Sequence, residues 1–118
     1  MHSMVRTARE KFGIGFNVGA KIEFTLVRGG SGGSATAAPS PVDQSTFANA
    51  TTLNEQQEFV SNLYDRLRQH DFDVELIHAE SAPGQMEVVI RYSNDAMRLA
   101  DDVVLTRETI ARSRGIEE

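Results

Sequence analysis

A four-residue turn, Ser81-Ala82-Pro83-Gly84, set between two runs that alternate apolar with polar residues, constrains this chain more than any other feature. Proline fixes one backbone angle and glycine accepts the positive φ that other residues resist, so the chain can reverse within these residues. The flanking runs, Val74 to Glu80 and Gln85 to Tyr92, are rich in β-branched residues and read as strands. Because side chains alternate across a strand, Glu87, Val89 and Arg91 share one face, and Met86, Val88, Ile90 and Tyr92 share the other. On the preceding strand His78 and Glu80 share a face. The expected hairpin thus gathers polar groups from two strands around one turn.

The remaining segments supply partners for that hairpin. Residues 1–3 read as a tag or ragged start, and residues 4–118 as a single domain. From Met4 to Phe12 the apolar Val5, Ala8 and Phe12 fall at helical spacing, with Gly13 placed as a stop. Phe16 to Arg28 is the first expected strand, with Ile22, Phe24 and Leu26 alternating against Lys21, Glu23 and Thr25. Gly29-Gly30-Ser31-Gly32-Gly33-Ser34 has the composition of a flexible designed linker, and 29–50 is expected to be linker and loop, partly disordered. Thr52-Leu53-Asn54-Glu55 has the capping-box pattern, and the stripe Phe59, Val60, Leu63, Tyr64 and Leu67 behind it predicts the central helix. Ser93 or Asn94 is expected to cap a last helix striped by Met97, Ala100, Val103, Val104 and Ile110, with Arg112 and Arg114 at its C-terminal end.

The order helix, strand, helix, strand, strand, helix predicts an α+β fold with two layers, the helices on one face of a mixed three-stranded sheet. A strand, crossover helix and second strand favour a right-handed parallel pair, to which the hairpin adds an antiparallel strand. The other face is then expected to carry Lys21, Glu23, Thr25, His78, Glu80, Gln85 and Glu87.

At 118 residues the chain is long enough for one core and too short for a multidomain enzyme. A net charge of -5 and the lack of a Lys/Arg cluster argue against nucleic acid or an anionic membrane as partner. No apolar run reaches the roughly 20 residues of a membrane span, and the start of the chain lacks a signal-peptide core. The absence of Cys removes disulfides and thiolate ligands and suits a cytoplasmic protein. Without Cys, and with His residues lacking companions, no Cys/His or Ser/His/Asp triad can be drawn.

The string His78-Ala79-Glu80-Ser81-Ala82-Pro83-Gly84-Gln85-Met86-Glu87-Val88 resembles the signature of the glutamine synthetase catalytic domain, and Gly19-Ala20-Lys21-Ile22-Glu23-Phe24 is similar to that family's upstream Gly-x-Glu-x-Glu-Phe strand. Thr106-Arg107-Glu108, with Pro41-Val42-Asp43, points to the fungal and plant glutamine-synthetase-like branch. The resemblance implies an ATP-dependent glutamate–ammonia ligase in which Glu80, Glu87 and Glu23 hold Mg²⁺ or Mn²⁺, hard cations that prefer oxygen ligands. It places Glu75 and His78 near the nucleotide, Tyr92 against it, and Gln85 as an amide holding the site around the turn. It also implies large homo-oligomers in the parent family.

The length then reads as a fragment, excised or engineered, with a longer family loop replaced by the Gly/Ser run. Such a fragment is expected to be inactive alone and to bind no cofactor of necessity. Lys21 departs from the family, which usually has a Glu there; an ammonium removes one ligand, or is simply an exposed solubilising residue. The three carboxylates also read as a solvated sheet face, His78 as a structural strand residue, Tyr92 as a core edge and Gln85 as a hairpin residue bonding to backbone. Two further readings follow: a structural module without catalysis, and an interaction module that dimerises through an open sheet edge.

Overall fold

A computed structural model describes residues 2–28, 39–44 and 47–113. The Gly/Ser run, residues 29–38 as a whole and Arg114 lie outside them. The elements are α1 (His2–Phe12), β1 (Val18–Thr25), β2 (Val27–Arg28), β3 (Ser40–Pro41), α2 (Ala50–Glu55), α3 (Gln57–Gln69), β4 (Val74–Ala79), β5 (Gln85–Ser93) and α4 (Ala96–Arg112). The fold is α+β, with α3 and α4 packed on one face of a three-stranded sheet of order β1-β5-β4.

Every pairing in that sheet is antiparallel, which corrects the expected mixed sheet. β1 and β4 do run parallel, but β5 lies between them, so the strand–helix–strand crossover skips one position. The physical reason lies in β5. Met86, Glu87, Val88 and Ile90 are all buried, so the strand gains most from a ladder on both edges, and antiparallel ladders are slightly the more stable kind.

Registration across β1, β5 and β4 produces ladder rows. Ala20, Ile90 and Val74 form one inner row, Ile22, Val88 and Ile77 the next, and Phe24, Met86 and Ala79 the third. Leu63 and Leu67 of α3, with Leu99 and Ile110 of α4, close over the first two rows and Phe72 completes the cluster. A second cluster joins Leu26, Val42 and Met86. Strict alternation fails at one place on β4: the register shifts between Val74 and Leu76, so Val74 and Ile77 both face the core and Glu75 is the extra, exposed residue of a bulge.

The first strand ends before the expected Arg28. Leu26 donates its N–H to the Gly84 carbonyl and accepts from Val42 N–H, so its backbone is spent on the hairpin turn and the 39–44 segment. Residues 40–41, expected within loop, therefore pair as β3 with β2, and Val42 is buried. The helices are also capped differently from expectation. Asn49, not Thr52, caps α2 by accepting from Thr51 N–H; Thr52 is buried with its hydroxyl on Asp43, and the helix breaks at Gln56. Asp95, rather than Ser93 or Asn94, caps α4 by accepting from the N–H groups of Met97 and Arg98. On α4 the buried stripe is Leu99, Thr106, Thr109 and Ile110, with Val103 partly buried against the core, while Val104 faces solvent.

α3 ends in a Schellman motif: Phe72 N–H reaches the Leu67 carbonyl, Asp71 N–H reaches Arg68, and Asp71 takes the left-handed conformation at φ 60. Leu67 and Phe72, brought together by that turn, meet in the core. α1 runs from His2 to Phe12 and stops before Gly13, whose positive φ and N–H bond to the Arg9 carbonyl match the expected stop. It buries none of its described side chains.

Candidate metal centre on the outer sheet face

The row that faces away from the helices is Glu23, Glu87 and His78, read across β1, β5 and β4. Each is there because of strand parity, and Glu87 is central because β5 is central. The hairpin turn adds Glu80 just past the end of β4. Glu80 N–H donates to the Gln85 carbonyl at 2.7 Å and Gln85 N–H to the Ala82 carbonyl at 2.9 Å, which closes the turn.

Gln85 then uses its side chain twice, accepting from Ala82 N–H at 3.0 Å and donating through Nε2 to Glu23 Oε2 at 2.7 Å. The amide thus bonds to backbone, as one expectation had it, and also links the turn to Glu23 on β1. The turn is also held from behind: Gly84 N–H donates to Asp43 Oδ1 at 2.6 Å, and the other oxygen of Asp43 takes the Thr52 hydroxyl. Asp43 enters the sequence reading only as part of Pro41-Val42-Asp43, with no role assigned to its side chain. Its signal, an Asp inside a Pro-containing stretch, is too common to mark a strut between a loop and a distant hairpin.

Glu87 is the chemical centre. Its side chain is 2% exposed. Its Oε1 accepts from Lys21 Nζ at 2.9 Å and lies 3.0 Å from His78 Nε2. The Lys21 hydrogen bond, aided by His78 and opposed by burial, holds the Glu87 carboxyl below the usual carboxylate range. Lys21 is raised in turn, chiefly by the hydrogen bond to Glu87. His78 has acceptors at both nitrogens, with Nδ1 donating to the Ala79 carbonyl at 2.9 Å. Two acceptors call for two protons, and the hydrogen bond to Glu87 pushes the imidazole above its ordinary value.

His78 Nε2, a Glu80 oxygen and a Glu87 oxygen all lie within 4.8 Å of one another, a set able to hold a metal ion. Carboxylates with one imidazole suit Mn²⁺ or Zn²⁺, and with Nδ1 donating to the Ala79 carbonyl, Nε2 would be the ligand atom on giving up its proton. Of the residues singled out from sequence, the structure thus gathers His78, Glu80 and Glu87. Glu23 is their neighbour, turned to Gln85. Glu75 stands on the bulge and Tyr92 near the far end of β5, both exposed, about 10 Å and 16 Å along their strands from His78 and Glu87. Two open grooves, of about 510 and 490 Å³, lie elsewhere, between α3 and α4 and beside Arg98 and Tyr92; neither is lined by the cluster.

The fold is thus a two-layer α+β domain whose outer sheet face gathers two carboxylates and an imidazole beside a hairpin turn. The family model for the glutamine synthetase catalytic domain matches residues 2–116, and the chain belongs to that family. It is 31% identical over 108 residues to a glutamine synthetase of Mycolicibacterium smegmatis, covering 90% of this chain and 24% of that protein. It is 28% identical over 107 residues to type-1 glutamine synthetase 1 of Dictyostelium discoideum, covering 86% and 21%. A gamma-glutamylpolyamine synthetase of Streptomyces coelicolor is 31% identical over 110 residues, covering 93% and 23%. The chain thus spans about a fifth to a quarter of the length of these relatives. No helix among the described residues is long and apolar enough to cross a membrane.

Proposed function

We propose that this chain carries part of the divalent-metal site of an ATP-dependent glutamate–ammonia ligase, working in the cytoplasm, and is inactive by itself. The supporting observation is the convergence of His78 Nε2, Glu80 and Glu87 within 4.8 Å on the outer sheet face. Mg²⁺ or Mn²⁺ would be held there by Glu80 and Glu87, with His78 as the nitrogen donor and Glu23, steadied by Gln85, as the nearest further carboxylate. Such an ion supplies charge stabilisation to a transferring phosphoryl group. The chain's own part is to fix the carboxylates on a rigid hairpin, with Asp43 and Gln85 as struts.

Inactivity follows from what transfer needs. Phosphoryl transfer depends on several positioned cations around the nucleotide. The cations of the described outer face are already engaged, Lys21 with Glu87 and Arg91 with Asp73, and Glu75 and Tyr92 lie well away from the cluster.

Calorimetric titration with Mn²⁺, alone and with ATP, tests the reading. Saturable binding at a single site, lost in Glu87→Gln, is the expected outcome, together with no γ-glutamyl transfer. Binding that persists unchanged in Glu87→Gln would move the metal elsewhere.

A second reading, a module that pairs through its sheet edge, is favoured by β1, which among the described residues pairs with β5 on one side alone.

A further inference from the structure

Lys21 lies on β1 two residues before Glu23 and on the same outer face, but its partner across the sheet is Val89, not Glu87. Its side chain therefore runs diagonally to reach the buried carboxylate, placing Nζ 2.9 Å from Oε1. That oxygen is also the one nearest His78 Nε2, at 3.0 Å. Glu80 approaches the same nitrogen, its Oε1 3.8 Å from Nε2.

One oxygen of a buried carboxylate is thus already shared between an ammonium and an imidazole, where a metal would need its lone pair. An ammonium has three donors and no lone pair, so it can neutralise the site but never ligate. The charge count points the same way. Glu80 and Glu87 offer a divalent ion two negative charges, against which stand the Lys21 ammonium and the Nε2 proton of His78; affinity for hard cations follows the ligand charge count, so Lys21 lowers it, and an ion taking Nε2 releases that proton. The Lys21 side chain is 66% exposed, so its stem is free to swing into water once the Glu87 contact breaks.

We propose that Lys21 is a built-in counter-ion occupying the cation's place on Glu87, so that the domain folds with the buried Glu87 charge balanced without metal and a divalent ion binds only by displacing the ammonium. The proposal rests on the reading of His78, Glu80 and Glu87 as a metal-binding set.

The experiment compares the unaltered chain with Lys21→Gln and Lys21→Arg by Mn²⁺ titration, followed by electron paramagnetic resonance, and by thermal melts in EDTA and in Mn²⁺. Lys21→Gln is expected to bind Mn²⁺ on the order of tenfold tighter than the unaltered chain. It should also melt lower in EDTA and recover in Mn²⁺, whereas the unaltered chain melts at nearly the same temperature in both. Lys21→Arg, which keeps the cation, should stay with the unaltered chain. Equal affinity of the unaltered chain and Lys21→Gln would overturn the counter-ion role while leaving the metal site standing. If neither binds Mn²⁺, the metal reading itself fails and the counter-ion role falls with it.

Discussion

Two residues show how the same functional group, a carboxylate, is driven in opposite directions by its surroundings. Glu87 is buried but has Lys21 and His78 on one oxygen, and its carboxyl is held low. The stability it contributes is present above the unfolded value of 4.5 and lost as pH falls through the lower folded value. Asp102 of α4 is mostly buried and its Arg98 partner stands 3.9 Å away; burial outweighs that partner and, with Asp101, Asp71 and Asp95 nearby, raises the carboxyl above 3.8. A raised acid binds its proton more tightly when folded, so its favourable contribution is complete below 3.8 and disappears as pH rises through the folded value. Asp102→Asn is therefore expected to be the more stable protein near neutral pH, by under about 1 kcal/mol. Urea denaturation across the acid range checks this: the variant should lose the downward slope of stability just above pH 3.8. A variant less stable than the parent near neutrality would contradict the burial argument. Both positions are titratable residues in plain view of the sequence, yet neither direction could be read there, because each depends on a partner from another element or on burial.

At the scale of the element, the hairpin turn rests on Gly84. Its φ is 66, and a Cβ there would lie 2.6 Å from the Leu26 carbonyl oxygen and 3.1 Å from Pro41 Cβ. Both neighbours are held in place, Leu26 by its own hydrogen bonds to Gly84 and Val42. Gly84→Ala thus combines a left-handed backbone with a backbone clash and should destabilise by about 1–3 kcal/mol. A lowered urea midpoint with an unchanged slope is the expected signature; a shift within about 0.3 kcal/mol would mean that the 39–44 segment yields freely. The turn itself was legible from Pro83-Gly84 and the alternation on either side. What packs behind it was not, since Asp43, Pro41 and Leu26 are distant in sequence. The bulge at Glu75 was hidden for a related reason. Alternation is a property of one chain, whereas a bulge is a mismatch between two, here β4 and β5.

At the scale of the molecule, the open side of β1 is the feature most exposed to a partner. Phe12, Phe16 and Val18, leading into that strand, are also exposed, so apolar burial and backbone pairing favour the same association. Light scattering is expected to show mass rising from monomer to dimer as concentration increases. A constant monomer mass would remove the edge-pairing reading and leave the metal reading untouched. The amino-acid sequence by itself determined the hairpin, the helical stripe through Leu63 and Leu67, the polar outer face and the family, because turn chemistry, periodicity and a contiguous motif are all local in the chain. Tertiary structure alone decided that β5 sits between β1 and β4, that Glu87 is buried at the centre of its row, and that Lys21 reaches it across the diagonal. Strand order and ion pairing are set by which surfaces lose most water and which charges meet once buried, and those neighbours exist only after the chain has closed on itself.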